Sequence, residues 1–331
     1  MRPLILVAGG AGYIGSHTVL TLQEQGFAVV VLDDLSTGHR DAVGAVPLLR
    51  VDLLDRAALN AAFAAHRFDA VVHFAARAYV GESVQNPALY YRNNVVGTLN
   101  LLEEMEGAGV KRLVFSSTCA TYGQPSEIPI LESCPQVPLS PYGHTKLACE
   151  FAMRDFAAGH GLATVALRYF NAAGADPEGR VGEDHRPEAH LIPLALGAAA
   201  GTREPLAIFG NDYPTPDGTC IRDYVHVTDL ADAHVLALRS MLDGATGFRA
   251  FNLGNERGTS VAEIVRLCGK VTGRPVPHRM APRRAGDPPL LVGSSTAIVR
   301  ELGWRPRYSD PETIVATAWA WHRKHPHGYS D

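Results

Sequence analysis

The chain has 331 residues, 46% of them hydrophobic, with 30 Lys and Arg against 34 Asp and Glu. That length accommodates two domains with a sizeable core, and a formal charge of −4 without long like-charge blocks argues against a nucleic-acid footprint or a basic membrane-binding face. Five cysteines, at positions 119, 134, 149, 220 and 268, form no CxxC pair and point to reduced thiols rather than a disulfide framework or a cysteine zinc site. The opening MRPLILVAGG has too short an apolar run for a signal peptide, and no later run is long enough to span a membrane, so the expected location is the cytoplasm. A small molecule or a second copy of the chain is the expected partner.

In chain order, short β-branched runs alternate with longer helical segments. Strands are predicted at 4–9, 28–33, 48–53, 70–75, 112–117 and 164–170, with a long helix over 88–109 and another opened by SPYGHTK at 140–146. The alternation predicts an α/β fold with a parallel sheet and helical crossovers. After Asn171 a Gly/Pro/Asp-rich stretch, ADPEGRVGEDHRPEAH, suits loops that build a binding site. The expected division is a dinucleotide-binding domain over 1–171 and a smaller α+β domain over 172–331, with 224–254 returning to the first sheet as strand, helix and strand.

The first strand runs into GGAGYIGS, where Gly9, Gly12 and Gly15 precede a helix. Glycines there permit a tight turn and close approach of a pyrophosphate to the helix N-terminus. The second strand ends in Asp33, 18 residues beyond Gly15, where a carboxylate meets the adenosine ribose hydroxyls and repels a 2′-phosphate. The predicted cofactor is therefore NAD rather than NADP.

Ser140 and Pro141 have the chemistry of an N-cap and first helical position, and they place Tyr142 and Lys146 on one face of the helix that follows. A free tyrosine ionises near pH ~10, so a phenolate base needs nearby positive charge, which Lys146 and the nicotinamide of NAD would provide. The strand before it ends in FSSTCATYG (115–123), offering hydroxyls at the carboxyl edge of the sheet.

Together these motifs resemble the extended short-chain dehydrogenase/reductase family. HFAARAYVGES (73–83), YYRNNVVGTLNLL (90–102), SPYGHTK (140–146), LRYFNAAGA (167–175), LAIFGNDYPTPDGTCIRDYVHVTDLADAH (206–234) and APRRAGD (281–287) are similar, from about Leu4 to Gly328, to the UDP-glucose 4-epimerase branch of that family. The resemblance implies a Rossmann-type doubly wound parallel sheet with a smaller UDP-sugar-binding domain. It makes Tyr142 the catalytic base, Lys146 the residue that tunes it and binds the nicotinamide ribose, and Thr118 the hydroxyl partner, with Ser117 as the alternative.

Cofactor contacts are implied from Tyr13, Ile14, Asp33, Asp34, Asp52, Leu53, Phe74, Ala75, Asn93, Tyr169 and Phe170, several through backbone atoms. Arg222 and Arg284 match positions that clamp the substrate diphosphate, Asn171, His190 and Leu191 line it, Asp287 holds the uridine ribose, and the backbone of Ala207, Ile208 and Phe209 reads uracil. The chain departs from some relatives at Ala78, where a cofactor-contacting lysine stands, and at Ala189-His190, where paired asparagines stand. Leu291 is intermediate at a position whose bulky forms are associated with excluding N-acetyl sugars.

The implied reaction is reversible epimerisation at C4 of UDP-galactose and UDP-glucose; another UDP-sugar, an N-acetylhexosamine, pentose or hexuronate, is the alternative, and a non-catalytic NAD-binding protein a more remote one. Nucleotide-sugar dehydratases carry Asp-Glu after the hydroxyl residue, whereas Thr118 here is followed by Cys119-Ala120. A homodimer packed through the helices around 88–109 and 142–158 is also implied. No metal is expected: His322, His325 and His327 read as a solvated tail, and Glu183 with Asp184 as loop anchors.

Overall fold

The computed structural model describes residues 2–284 and 288–330. Strands β1 (Leu4–Ala8), β2 (Ala28–Asp33), β3 (Leu48–Arg50), β4 (Ala70–His73), β5 (Arg112–Ser116) and β6 (Ala163–Tyr169) come from the first half of the chain. Between them run α1 (Tyr13–Glu24), α2 (Arg56–Ala65), α3 (Val80–Gln85), α4 (Pro87–Tyr90), α5 (Gly97–Gly107) and α6 (Pro141–His160). The second half supplies β7 (Asn171–Ala173), α7 (Leu191–Ala200), β8 (Leu206–Phe209), β9 (Ile221–His226), α8 (Val227–Leu242), β10 (Phe248–Leu253), β11 (Gly258–Ser260), α9 (Val261–Thr272), β12 (His278–Ala281), β13 (Leu290–Leu291), α10 (Thr296–Leu302) and α11 (Pro311–Lys324).

Seven strands form a wholly parallel sheet in the order β10-β6-β5-β4-β1-β2-β3. Side chains alternate between its faces because the strand period is two. Ile5 and Val7 pack with α1 and α8 through Val19, Leu22 and Leu230, while Leu6 and Ala8 pack with α2, α5 and α6 through Leu59, Leu101 and Met153. Both faces are covered, which is why the strands read as continuous apolar runs. The order reverses at β1, so the carboxyl ends of β1 and β4 flank the crevice in which such sheets bind ligands.

The second half does not simply extend this sheet. The helix and last strand of 224–254, α8 and β10, do lie in the large layer, but its first strand, β9, pairs instead with β7, β11 and β13 in a small mixed sheet. Alternation alone cannot distinguish the two destinations, since β9 is buried in either. A further two-stranded sheet, β8 with β12, leaves the other edge of β8 without a strand among the described residues.

Two predicted elements are also shortened or broken. The strand expected to Leu53 stops at Arg50 because the Asp52 carboxylate accepts the Leu54 amide at 2.9 Å in an Asx-type turn. The helix expected over 88–109 contains a π-helical turn, Tyr91–Val96, between α4 and α5. The widened turn presents Asn93 and Asn94, and the Asn94 amide ties both the N–H and the C=O of Arg77.

Candidate active site

Glycine geometry shapes the loop between β1 and α1. Gly9 has φ +77°, and a Cβ there would lie 2.3 Å from the Ala75 nitrogen on the neighbouring strand connection. A Cβ on Gly15 would lie 2.1 Å from the Gly9 carbonyl oxygen, so the helix can start only against a bare backbone. Gly12, by contrast, faces open space apart from that same oxygen at 3.5 Å. As N-cap it brings no side-chain hydrogen bond to the first turn of α1. The amide end of α1 is thus left to an anion from outside.

Asp33 closes the other side of the crevice. Its carboxylate accepts the Ala11 amide at 3.0 Å and the Leu35 amide at 2.9 Å, so it braces the glycine loop as well as ending β2. Burial pushes its pKa up from the ordinary carboxylate value while the two amides oppose that shift. Each oxygen retains a second lone pair for a ribose hydroxyl. An uncapped helix end and a carboxylate one strand away are the donor and acceptor set that NAD requires, and the chain fits it.

Most of the other predicted cofactor positions follow the carboxyl ends of the parallel strands. Phe74 and Ala75 follow β4 with both amides bonded to the Ala8 carbonyl, and Asp52 with Leu53 follows β3. Tyr13 donates its hydroxyl to the Gly174 carbonyl at 2.6 Å, tying the glycine loop to the second half of the chain, while Ile14 sits in the first turn of α1. Asn93 bonds its neighbour Asn94, and Asp34 accepts the Ser36 amide at the surface. Tyr169 shares a 2.5 Å hydrogen bond with Ser116, and Phe170 lies against Gly293, where any Cβ would collide with its ring.

The helix carrying Tyr142 starts as its sequence predicts: the Ser140 hydroxyl accepts the Gly143 amide at 3.2 Å, Pro141 occupies the first turn, and Gly161 in the left-handed conformation ends it. Tyr142, Lys146 and Thr118 are all buried. Burial holds the Tyr142 phenol well above its ordinary pKa, an effect that the nearby Thr118 hydroxyl opposes only in part. Lys146 points its Nζ at the Ser116 carbonyl, 2.8 Å away, and over the Phe115 ring; burial lowers its pKa to about 8. In the protein without NAD, desolvation is the larger effect on the phenol; the sequence reading counted on Lys146 together with the nicotinamide.

Ser117 has different work. It donates to Glu150 at 2.6 Å within a buried Arg168–Glu150 pair and is therefore committed to the core. Of the two hydroxyls the sequence offered, that leaves Thr118, which acts on the Tyr142 phenol.

The predicted nucleotide positions lie on the smaller layer. Arg222 is on β9, Asn171 begins β7 and donates to the Asp223 carbonyl at 3.1 Å, and Ala207, Ile208 and Phe209 line β8. The Arg284 guanidinium stacks 4.0 Å from the centre of the Phe209 ring. Leu191 opens α7 with His190 as its N-cap, and Leu291 packs beside Phe170, Tyr122 and Cys119. Asp287 lies outside the described residues.

Residues 5–254 match the NAD dependent epimerase/dehydratase family. The chain belongs to that family. Among its relatives, the UDP-glucose 4-epimerase of Halalkalibacterium halodurans is 56% identical over 98% of this chain and 97% of its own. The Brucella ovis UDP-glucose 4-epimerase, solved in complex with NAD, superposes with a TM-score of 0.94 at 53% identity over 96% of this chain and 98% of that one. The Bifidobacterium longum enzyme, solved with NAD+ and UDP, gives a TM-score of 0.93 at 36% identity over 98% and 100%.

Within this epimerase/dehydratase fold, one group of polar residues was not anticipated as a unit. Glu183, His185, Glu188 and His190 converge in the loop before α7. Both imidazoles donate Nδ1–H to the same Glu183 oxygen, at 3.0 Å from His185 and 2.5 Å from His190. Burial opposes charge on His190, but the Glu183 and Glu188 carboxylates outweigh it and push its pKa above the ordinary range, while the two histidines depress Glu183. Its only signal in the sequence is the spacing Glu-x-His-x-x-Glu-x-His.

Proposed function

We infer that the chain is an NAD-dependent UDP-glucose 4-epimerase that interconverts UDP-galactose and UDP-glucose through a 4-keto sugar. The observation that carries this reading is the shared burial of Thr118, Tyr142 and Lys146 at the end of β5 and start of α6, set against an uncapped α1 terminus and Asp33. The near-full-length likeness to UDP-glucose 4-epimerases supports the choice of sugar nucleotide.

When bound, NAD supplies the two-electron acceptor that takes the C4 hydrogen of the hexose and returns it to the opposite face. Tyr142 removes the C4 hydroxyl proton as that carbon is oxidised and gives it back on reduction, with Thr118 holding the oxygen between them. Lys146 fixes the nicotinamide ribose and keeps a positive charge near the phenol. Arg222 and Arg284 grip the diphosphate, aided by Asn171, His190 and Leu191, while the free edge of β8 at Ala207–Phe209 reads uracil and Asp287 takes the uridine ribose. Firm anchoring of UDP leaves the hexose free to turn about its link to the diphosphate and present its other face.

The test is direct. Purified protein should carry NAD and convert UDP-galactose to UDP-glucose with no added reductant, as followed by coupled UDP-glucose oxidation. UDP-N-acetylgalactosamine and UDP-xylose assayed beside it report on Leu291 and on the pocket around C5. Faster turnover of either than of UDP-galactose would overturn the sugar assignment.

A homodimer is part of the same proposal. Val80, Val84, Leu89, Tyr91 and Val96 on α3, α4 and the π-helical turn, with Phe151 on α6, are exposed apolar side chains on neighbouring elements. A patch of this kind marks an interaction surface. Light scattering should give about twice the mass of one chain, and Phe151→Glu should shift it to the monomer.

A further inference from the structure

We propose that Glu183, His185, Glu188 and His190 form a binding site for one divalent transition-metal ion of the Zn2+ or Co2+ type. The four side chains come from a single eight-residue loop, 183–190, and their ligand atoms all lie within 4.8 Å of one another. Two imidazole nitrogens and two carboxylate oxygens are a donor set suited to a borderline ion and poorly suited to Mg2+ or Ca2+, which take oxygen alone.

The geometry is close to what coordination needs. Ligand atoms around a tetrahedral ion with bonds of about 2.0–2.1 Å stand about 3.3 Å apart. Here Glu183 Oε1 lies 3.0 Å from His185 Nδ1 and 2.5 Å from His190 Nδ1, while Glu188 Oε2 lies 3.9 Å from His185 Nδ1. Spreading the first two contacts and drawing Glu188 inward, with every ligand atom already within 4.8 Å of the others, would enclose an ion.

Charge makes the same demand. The Glu183 and Glu188 side chains are 4% and 2% exposed, and both carboxylates lie within ion-pair distance of His185 and His190. Two buried carboxylates converging on the same two imidazoles favour a dication held among them. On binding, both rings ligate through Nδ1. In each ring the ion takes the Nδ1 lone pair and the ring hydrogen sits on Nε2, any proton in excess passing to solvent.

Packing around the loop supports the ligands. Tyr79 donates to the Pro187 carbonyl at 3.1 Å, and the Ala189 and His190 amides both donate to Glu188 Oε1, leaving Oε2 available. The His185 ring meets the edge of Tyr13 in the glycine loop. A bound ion would therefore fasten the loop before α7 to the cofactor side of the crevice. It would also fix Nε2–H of His190 as a donor for the substrate diphosphate; that consequence rests on the proposed role of His190, whereas the metal site does not.

The experiment uses full-length protein with its NAD retained, freed of metal by chelator and titrated with Co2+. Wild type should take up one equivalent with the intense visible bands of tetrahedral Co2+, and Zn2+ should bleach them. His185→Gln and Glu188→Gln, each checked for NAD retention and circular dichroism, should bind at least about tenfold more weakly. Less than one equivalent in wild type, a weak octahedral spectrum, or undiminished uptake in either folded variant would overturn the site. Since uptake and spectrum are read without substrate, failure here leaves the epimerase reading standing, and failure of that reading leaves the site standing.

Discussion

Tyr142→Phe should lower kcat for UDP-galactose by about 10²- to 10⁴-fold, the usual contribution of a positioned acid–base group, while NAD retention and UDP affinity stay near those of wild type. No neighbour can take over. Burial pushes the Cys119 thiol up to about 12, Ser117 is engaged with Glu150, and Lys146 donates to a backbone carbonyl. Thr118 has no tendency to ionise at working pH, so its hydrogen bond can only assist. The sign of the pH dependence follows from burial: Tyr142 sits above its ordinary pKa, so its basic form grows as pH rises. Wild-type kcat should climb through neutrality, and the climb should vanish in Tyr142→Phe. Retention of more than about a tenth of the activity by the variant would rule out the phenol as the base.

What could be read from the sequence was whatever local spacing controls. Gly9, Gly12 and Gly15 lie on one turn, Asp33 ends the next strand, and Tyr142 and Lys146 share a helix face, so each relation survives whatever the rest of the fold does. Partner choice over long sequence distances was not legible. Whether Lys146 meets Tyr142 or the Ser116 carbonyl depends on where β5 ends beneath α6. Whether β9 joins the large sheet or the small one depends on β7, β11 and β13, since a buried strand looks alike in both. Glu183 read as a loop anchor because adjacent side chains diverge; its true neighbours are two, five and seven residues on, folded back by the loop. The roles given to the nucleotide positions rest on the resemblance to known epimerases, since neither spacing nor periodicity could assign them.

Glu150→Ala should cost about 3–5 kcal/mol of folding stability, measured by urea unfolding of the NAD-bound enzyme, because it strands a buried cation. The Arg168 and Glu150 side chains are 2% and 0% exposed and joined by bonds of 3.0 Å from Nε and 2.6 Å from Nη2. The same carboxylate receives Ser117 at 2.6 Å, and Arg168 reaches Tyr122 at 2.7 Å, which in turn donates to Asn252 on β10. Removing Glu150 therefore leaves a guanidinium and a serine without their acceptor at the junction of β5, β6 and α6. By contrast Arg56–Glu103, with side chains 58% and 46% exposed, should lose less than about 1 kcal/mol when Glu103 is replaced by Ala. Replacing both members of the buried pair, Glu150→Met with Arg168→Leu, should recover much of the loss, since a well-packed apolar pair avoids the desolvation penalty. Glu150 lies one turn beyond Lys146 on α6, and its partner Ser117 immediately precedes Thr118. Glu150→Ala should therefore also lower kcat beyond what its stability loss explains, with recovery in the double variant only to the extent that α6 is again held against β5.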